Sequence, residues 1–482
     1  MPDVWIAGAG MTRFGKRQES LPDLVAEAAR SALSAARLEA PDAIVVAAMN
    51  PEEFIGEGNF ASRIATHLGF AHVPALRVET ATSSGAAAVY TGFATVAAGL
   101  SRSVLVVGGE KMTHLPTPRV SELIGRSIDP HERSYGATMP ALAGLITRAL
   151  MAKTGVTLKE ISQVAVKNHA NGARNPYAHF QDPVTLDAVL ESRIVADPLR
   201  LYHCCPISDG AAALVLTAEP APVRIAGIGQ GADTLAVRYR ESLVSFSATQ
   251  AAAKAAYRMA GFGPERVEVA EVHDAFAPFE LIALEDLGLV PSGKAGRATL
   301  TGETALDGRL PINPSGGLKA RGHPLAGTGI AQIVEVFWQL LGEAHGRQVA
   351  ARVGLAHSIG GLATNNWGTV RERARRRSPP PKRSRPPVAP GADAWWRPPP
   401  PTVRTIRSGW SPCRSRATGR WCPSPRSTRR PRASPRRSTW RSWRSTAGPA
   451  SSATARRPRG SAWAAGWRWN RWTRSTTSPT WA

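Results

Sequence analysis

One stretch of the chain places a histidine where it can do chemistry: Asn313-Pro314-Ser315-Gly316-Gly317-Leu318-Lys319-Ala320-Arg321-Gly322-His323-Pro324-Leu325-Ala326-Gly327-Thr328-Gly329. Its five glycines let the backbone come close to a ligand and adopt positive φ. His323 is held between Gly322 and Pro324, just before an apolar helical run. An imidazole fixed in this way can act as a general base or as a hydrogen-bond donor to an oxyanion. A second histidine stands in Glu271-Val272-His273-Asp274-Ala275-Phe276, at the end of a strand-like run. Ser208-Asp209-Gly210-Ala211-Ala212-Ala213 reads as a turn and packing element, and the adjacent Cys204 and Cys205 read as core rather than as metal ligands.

The elements that must position these residues come in two similar sets. Val4-Trp5-Ile6-Ala7-Gly8-Ala9-Gly10 recurs 219 residues later as Val223-Arg224-Ile225-Ala226-Gly227-Ile228-Gly229, each reading as a strand that enters a turn at its glycines. Each is followed by an alanine-rich helical stretch (24–36, 248–259) and then by another apolar run (43–46, 267–270). The same order in both halves predicts a duplicated α/β unit. A helix over 85–99 and a strand over 103–109 complete the first half, and a more polar segment, about 111–197, reads as an inserted loop region over a site. The expected divisions are 1–221, 222–370 and a tail, 371–482. Gly8-Ala9-Gly10 is not a dinucleotide fingerprint, because the third glycine falls at Gly15 rather than at position 13.

Charge separates the tail from the rest. The net charge is +24, but 28 of the 60 basic and 2 of the 36 acidic residues follow Val370, so residues 1–370 are nearly neutral. The tail also holds 11 of the 14 tryptophans amid Arg, Pro and Ser, a composition without the pattern of a core. It reads as a disordered appendage or as GC-rich DNA translated out of frame, and a nucleic-acid partner is not expected. The two body cysteines are adjacent and imply no disulfide framework. With no secretory signal and no run of about 18 apolar residues, the expectation is a cytoplasmic protein without a membrane span.

The glycine-rich string resembles the signature of thiolases, in which its histidine activates the nucleophile. The resemblance covers Val4 to about Val370 and is nearest the sterol-carrier-protein-x and archaeal branch, whose His-Asp-x-Phe is matched by His273-Asp274-Ala275-Phe276. It implies an α/β thiolase fold, two βαβαβαββ-type halves forming a layered αβαβα core, with His273 and His323 at the thioester oxygen. It also implies that Ser315, Gly322, Gly360, Gly361 and Asp274 help to bind substrate or shape the oxyanion hole.

Two motifs depart from the family pattern. Val78-Glu79-Thr80-Ala81-Thr82-Ser83-Ser84-Gly85 is similar to the helix-start segment that carries the thiolase cysteine, and Thr82 stands in its place. A thiol there is readily ionised, whereas a secondary hydroxyl is a far weaker acid. Leu355-Ala356-His357-Ser358-Ile359-Gly360-Gly361 resembles the closing motif, with Ser358 at the position of a second cysteine and His357 reading as structural.

The resemblance implies an acyltransferase of acetyl-CoA acetyltransferase type, or a carbon–carbon lyase that needs an enolate but no acyl-enzyme, such as a retro-aldolase of β-hydroxyacyl-CoA. Thiolase-fold aldolases of that kind tend to carry tyrosine in place of the histidines kept here. The alternative is a non-catalytic acyl-CoA or lipid carrier, or a scaffold subunit. Coenzyme A is expected as the acyl carrier, with no permanently bound cofactor and no metal. The implied partners are a second copy, as a homodimer, and a small OB-fold and zinc-ribbon protein.

Overall fold

The computed structural model describes residues 2–374, and the readings of the tail from residue 375 onward fall outside the described residues. Nine strands form one mixed sheet in the order Ala75–Val78, Ala43–Ala47, Ser103–Glu110, Gly210–Thr217, Trp5–Met11, Val223–Ala232, Asn365–Arg373, Val353–Gly360 and Val269–Glu271. The first five come from the first half of the chain and the last four from the second. The halves meet where Trp5 and Ile6 pair antiparallel with Arg224 and Val223. From that seam outward the two sets follow the same connection order, and Ile312, bridged to Ala270, occupies the place of the missing outer strand.

The layering follows from burial. Helix Ala326–Leu341 is buried on nearly every side and packs on strands from both halves and on helix Ser84–Ala97. These two helices form the middle layer, while Leu21–Ala36 covers the first-half strands and Ser247–Ala260 the second-half strands. This is the thiolase fold, and the sheet is continuous across the seam.

The repeated glycines lie inside strands rather than at turns, which corrects the sequence expectation. A Cβ on Gly8 or Gly10 would lie 2.2 Å from Ala32 O or 2.3 Å from Ala28 O. The same atom on Gly227 or Gly229 would lie 2.0 Å from Ala256 O or 2.1 Å from Ala252 O. Bare backbone is needed so that each alanine-rich helix can press against its strand. The segment expected as a loop region, 111–197, folds largely as helices, notably Thr117–Gly125, Met139–Thr154 and Leu158–Gly172. The last two carry side-chain caps: Thr138 accepts from Ala141 N, and Thr157 with Glu160 forms a capping box. No described helix is long and apolar enough to cross a membrane.

Candidate active site

Both motif histidines sit at ends of elements of the second half. His273 follows strand Val269–Glu271, and His323 lies between the short helix Gly317–Ala320 and helix Ala326–Leu341. Three buried carboxylates bind the two segments together. Glu271 accepts from Ser315 N at 3.0 Å, Ser315 Oγ at 2.7 Å and Arg321 Nη1 at 3.1 Å. Asp274 accepts from Leu318 N at 2.6 Å, Lys319 N at 3.2 Å and Asn168 Nδ2 at 2.7 Å. Glu280 accepts from Asn313 Nδ2 at 2.7 Å, and Asn313 Oδ1 takes the Val272 amide at 2.8 Å. Gly317 must be glycine, since a Cβ there would meet the Asp274 carboxylate at 2.4 Å.

This lacing sets the His273 and His323 rings edge to face, with centroids 5.1 Å apart and planes at 87°. They are 2% and 6% exposed and share one cavity. His273 Nδ1 accepts the Ile359 amide at 3.2 Å, so in the neutral ring the proton is on Nε2 and can be donated. His323 Nδ1 is 2.7 Å from Thr328 Oγ1, and the His323 amide donates to Ser208 Oγ at 3.3 Å. Gly322, at φ +112°, makes the turn that brings His323 inward. Burial lowers His323 to about 3, with the Arg321 charge acting the same way. It also holds His273 well below the usual imidazole range, helped by His323, His357 and Arg321. Both rings are therefore neutral near pH 7.

Thr82, just ahead of helix Ser84–Ala97, lines the same cavity but has its hydroxyl engaged. It donates to Ile359 O at 2.7 Å and accepts from Gly361 N at 3.2 Å. Gly360 is wedged behind it, where a Cβ would lie 2.4 Å from Ser83 Oγ. Gly361 lines the cavity at φ +61°. Ser358 is buried with an unpartnered Oγ and is not part of the cavity wall. His357 is fully buried and bonded through Nε2 to Thr249 Oγ1 at 3.1 Å. Ser315 and Asp274 are likewise fully buried in the lacing described above. Of the residues expected to act in catalysis or substrate binding, His273, His323, Thr82 and Gly361 meet at the cavity, and Ser358, Ser315, Asp274, Gly322 and Gly360 stand behind it.

Cys204 and Cys205 also line the cavity, as unpaired thiols. Burial pushes Cys204 up to about 11, and burial with the neighbouring Cys204 pushes Cys205 up to about 12. Both thiols are therefore poor nucleophiles near neutrality. Sequence reasoning missed Ser208 as the residue that holds the His323 backbone, and it missed the walls contributed by Ile124, Met139 and Phe279. Ser208 stands in a motif that was noticed, but nothing in the local pattern ties 124 or 139 to 323. Among the described residues no group of three or more His, Cys, Asp or Glu is placed to hold a metal.

Residues 4–220 match the thiolase N-terminal domain, and residues 229–373 match the thiolase C-terminal domain-like family. The chain belongs to the thiolase family. Acetyl-CoA acetyltransferase of Methanothermobacter thermautotrophicus is 42% identical over 374 residues, covering 75% of this chain and 97% of that protein. Bovine (Bos taurus) sterol carrier protein 2 is 35% identical, covering 74% of this chain and 70% of that one. Among solved structures, an Ltp2-ChsH2(DUF35) aldolase superposes with a TM-score of 0.67 at 24% identity, over 78% of this chain and 99% of that one. This chain is thus a thiolase-family acyl-CoA enzyme or a sterol-carrier-protein-2-thiolase-like protein.

Proposed function

We propose that the chain makes or breaks a carbon–carbon bond in an acyl-CoA thioester without forming an acyl-enzyme, with retro-aldol cleavage of a β-hydroxyacyl-CoA as the reaction that fits best. One observation carries this reading: the hydroxyl at the nucleophile position is bound between Ile359 O and Gly361 N, while two neutral imidazoles face each other in the cavity. His273 donates its Nε2–H to the thioester oxygen. His323, its Nδ1–H directed at Thr328 Oγ1, takes the β-hydroxyl proton at Nε2. The Cα–Cβ bond then breaks, the β-carbon becomes a carbonyl, and the electron pair moves into an enolate whose oxygen rests on His273. His323 returns its proton to Cα. Negative charge developing beside the ring raises its basicity at the moment the proton is taken, and water exclusion strengthens the effect.

Purified protein is offered a β-hydroxyacyl-CoA and acetoacetyl-CoA, with and without a DUF35-type partner of the kind named for the aldolase neighbour. Aldehyde or ketone release from the first is the expected result. Thiolysis of the second accompanied by an acylated Thr82 in intact-mass spectra would instead assign covalent chemistry, and no turnover of either would leave a carrier or scaffold.

Thr82→Val separates the same alternatives. It removes the hydroxyl, keeps the branch, and leaves Gly361 N unpartnered, costing about 1–2 kcal/mol of stability in a urea titration. Turnover of the β-hydroxy substrate stays within about tenfold of the parent, because no bond to Thr82 is made or broken; loss beyond about 1,000-fold would return Thr82 to the role of nucleophile.

The partners carried over by this reading include a second copy of the chain. Strand Ala75–Val78 ends the sheet, with Leu76 47% exposed, and an unpaired edge of this kind accepts another strand. Sedimentation gives a dimer, and Leu76→Glu shifts it to monomer; an unshifted dimer would place the interface elsewhere.

A further inference from the structure

The cavity holding the two imidazoles has a volume of about 220 Å³. Its apolar wall includes Met112, Ile124, Met139, Phe276, Phe279 and Leu325. The ring of Phe276 packs on that of Phe279 at 5.3 Å, and Phe279 in turn on Phe246 at 5.2 Å, so this part of the wall is backed by core. Thr117, Ser121 and Thr138 supply hydroxyls and are exposed, which marks that side as the mouth. Among the described residues no Lys, Arg, Asp or Glu lines the cavity.

An apolar cavity of about 150 Å³ takes up a benzene ring, or about 25 Å³ per carbon. On that scale the space here suits about nine non-hydrogen atoms, of which the thioester carbonyl and its neighbouring carbon use only a few. An acetyl group would leave most of the apolar wall without contacts. An acyl group ending in a carboxylate would bury that charge with no cation to meet it, which is strongly disfavoured.

We infer that this site selects neutral, apolar acyl groups of about five to eight carbons, straight, branched or cyclic, over both acetyl and dicarboxylic acyl groups. The inference rests on the acyl-CoA reading of the site and narrows it to a substrate class. Ile124, half-buried on the cavity face of helix Thr117–Gly125, is a specificity-determining position.

The test is calorimetric binding to the full-length protein of saturated acyl-CoA thioesters, which lack the β-oxygen needed for cleavage: acetyl, butyryl, hexanoyl, octanoyl, dodecanoyl and succinyl. Affinity is expected to rise about fourfold per methylene, the factor that corresponds to burying one CH₂, and to level off before dodecanoyl. Succinyl-CoA binds at least about tenfold more weakly than butyryl-CoA, since its carboxylate would be buried unpaired. Ile124→Trp moves the plateau to shorter chains. Binding that ignores chain length, or succinyl-CoA that matches butyryl-CoA, overturns the inference while leaving the acyl-CoA reading intact. If none of these thioesters binds, both fall.

Discussion

His323→Ala abolishes turnover of a β-hydroxyacyl-CoA, lowering kcat/KM by about 1,000-fold or more, while acyl-CoA binding stays within about tenfold of the parent. The size follows from the two proton transfers the ring performs, from the β-hydroxyl and then to Cα, each worth about 100-fold or more. The fold should survive, because the side chain makes one hydrogen bond, to Thr328, and its amide bond to Ser208 remains. His273→Ala should have a similar effect on rate. The double variant should be little worse than either single one, as expected of groups acting as a unit. The parent's rate should show no acid limb from His323 between pH 8 and pH 5, since burial holds that imidazole at about 3 and it stays neutral across the interval. Steady-state kinetics on the three variants would check all of this. Full activity in His323→Ala would remove the catalytic reading and leave the carrier.

The second large effect is on stability. Asp274→Ala strips the acceptor from Leu318 N, Lys319 N and Asn168 Nδ2 at once, in a place where water does not replace it. Unsatisfied buried donors cost about 1–3 kcal/mol each, so a loss of about 3–5 kcal/mol in urea unfolding is expected. Activity should fall as well, because the lacing that fixes His273 against His323 is cut. Asp274→Asn keeps an acceptor oxygen in place and should lose about half as much. Its carboxyl is already pushed up to about 6 by burial and by Glu280, so a neutral side chain is tolerated. An Asp274→Ala protein as stable as the parent would mean that the two histidine segments are held by packing alone.

Much of this was legible in the sequence, and the limits have physical causes. The duplicated order of strand, helix and strand is a matter of periodicity and survives in the text of Val4–Gly10 and Val223–Gly229. The convergence of His273 and His323 was read through the family resemblance of their two motifs, and the geometry supplies its cause in Glu271, Asp274 and Glu280. What the glycines of Gly8-Ala9-Gly10 are for could not be read locally, because their constraint comes from Ala28 and Ala32 on a neighbouring helix. The helical nature of 111–197 was obscured by its prolines and polar residues, although Thr157 and Glu160 carried a capping signal. The commitment of the Thr82 hydroxyl depends on backbone groups 277 and 279 residues away, beyond any pattern in the chain.

The cavity has walls of two different kinds. On one side stand the imidazoles and the turns that carry them, tied by buried carboxylates to strand ends of the second half. On the other stand helix Thr117–Gly125 and the start of Met139–Thr154, which contribute side chains to the wall while their backbone bonds stay within themselves. Substitutions in this helical annex can therefore redraw the space left for an acyl chain while the paired imidazoles keep their footing.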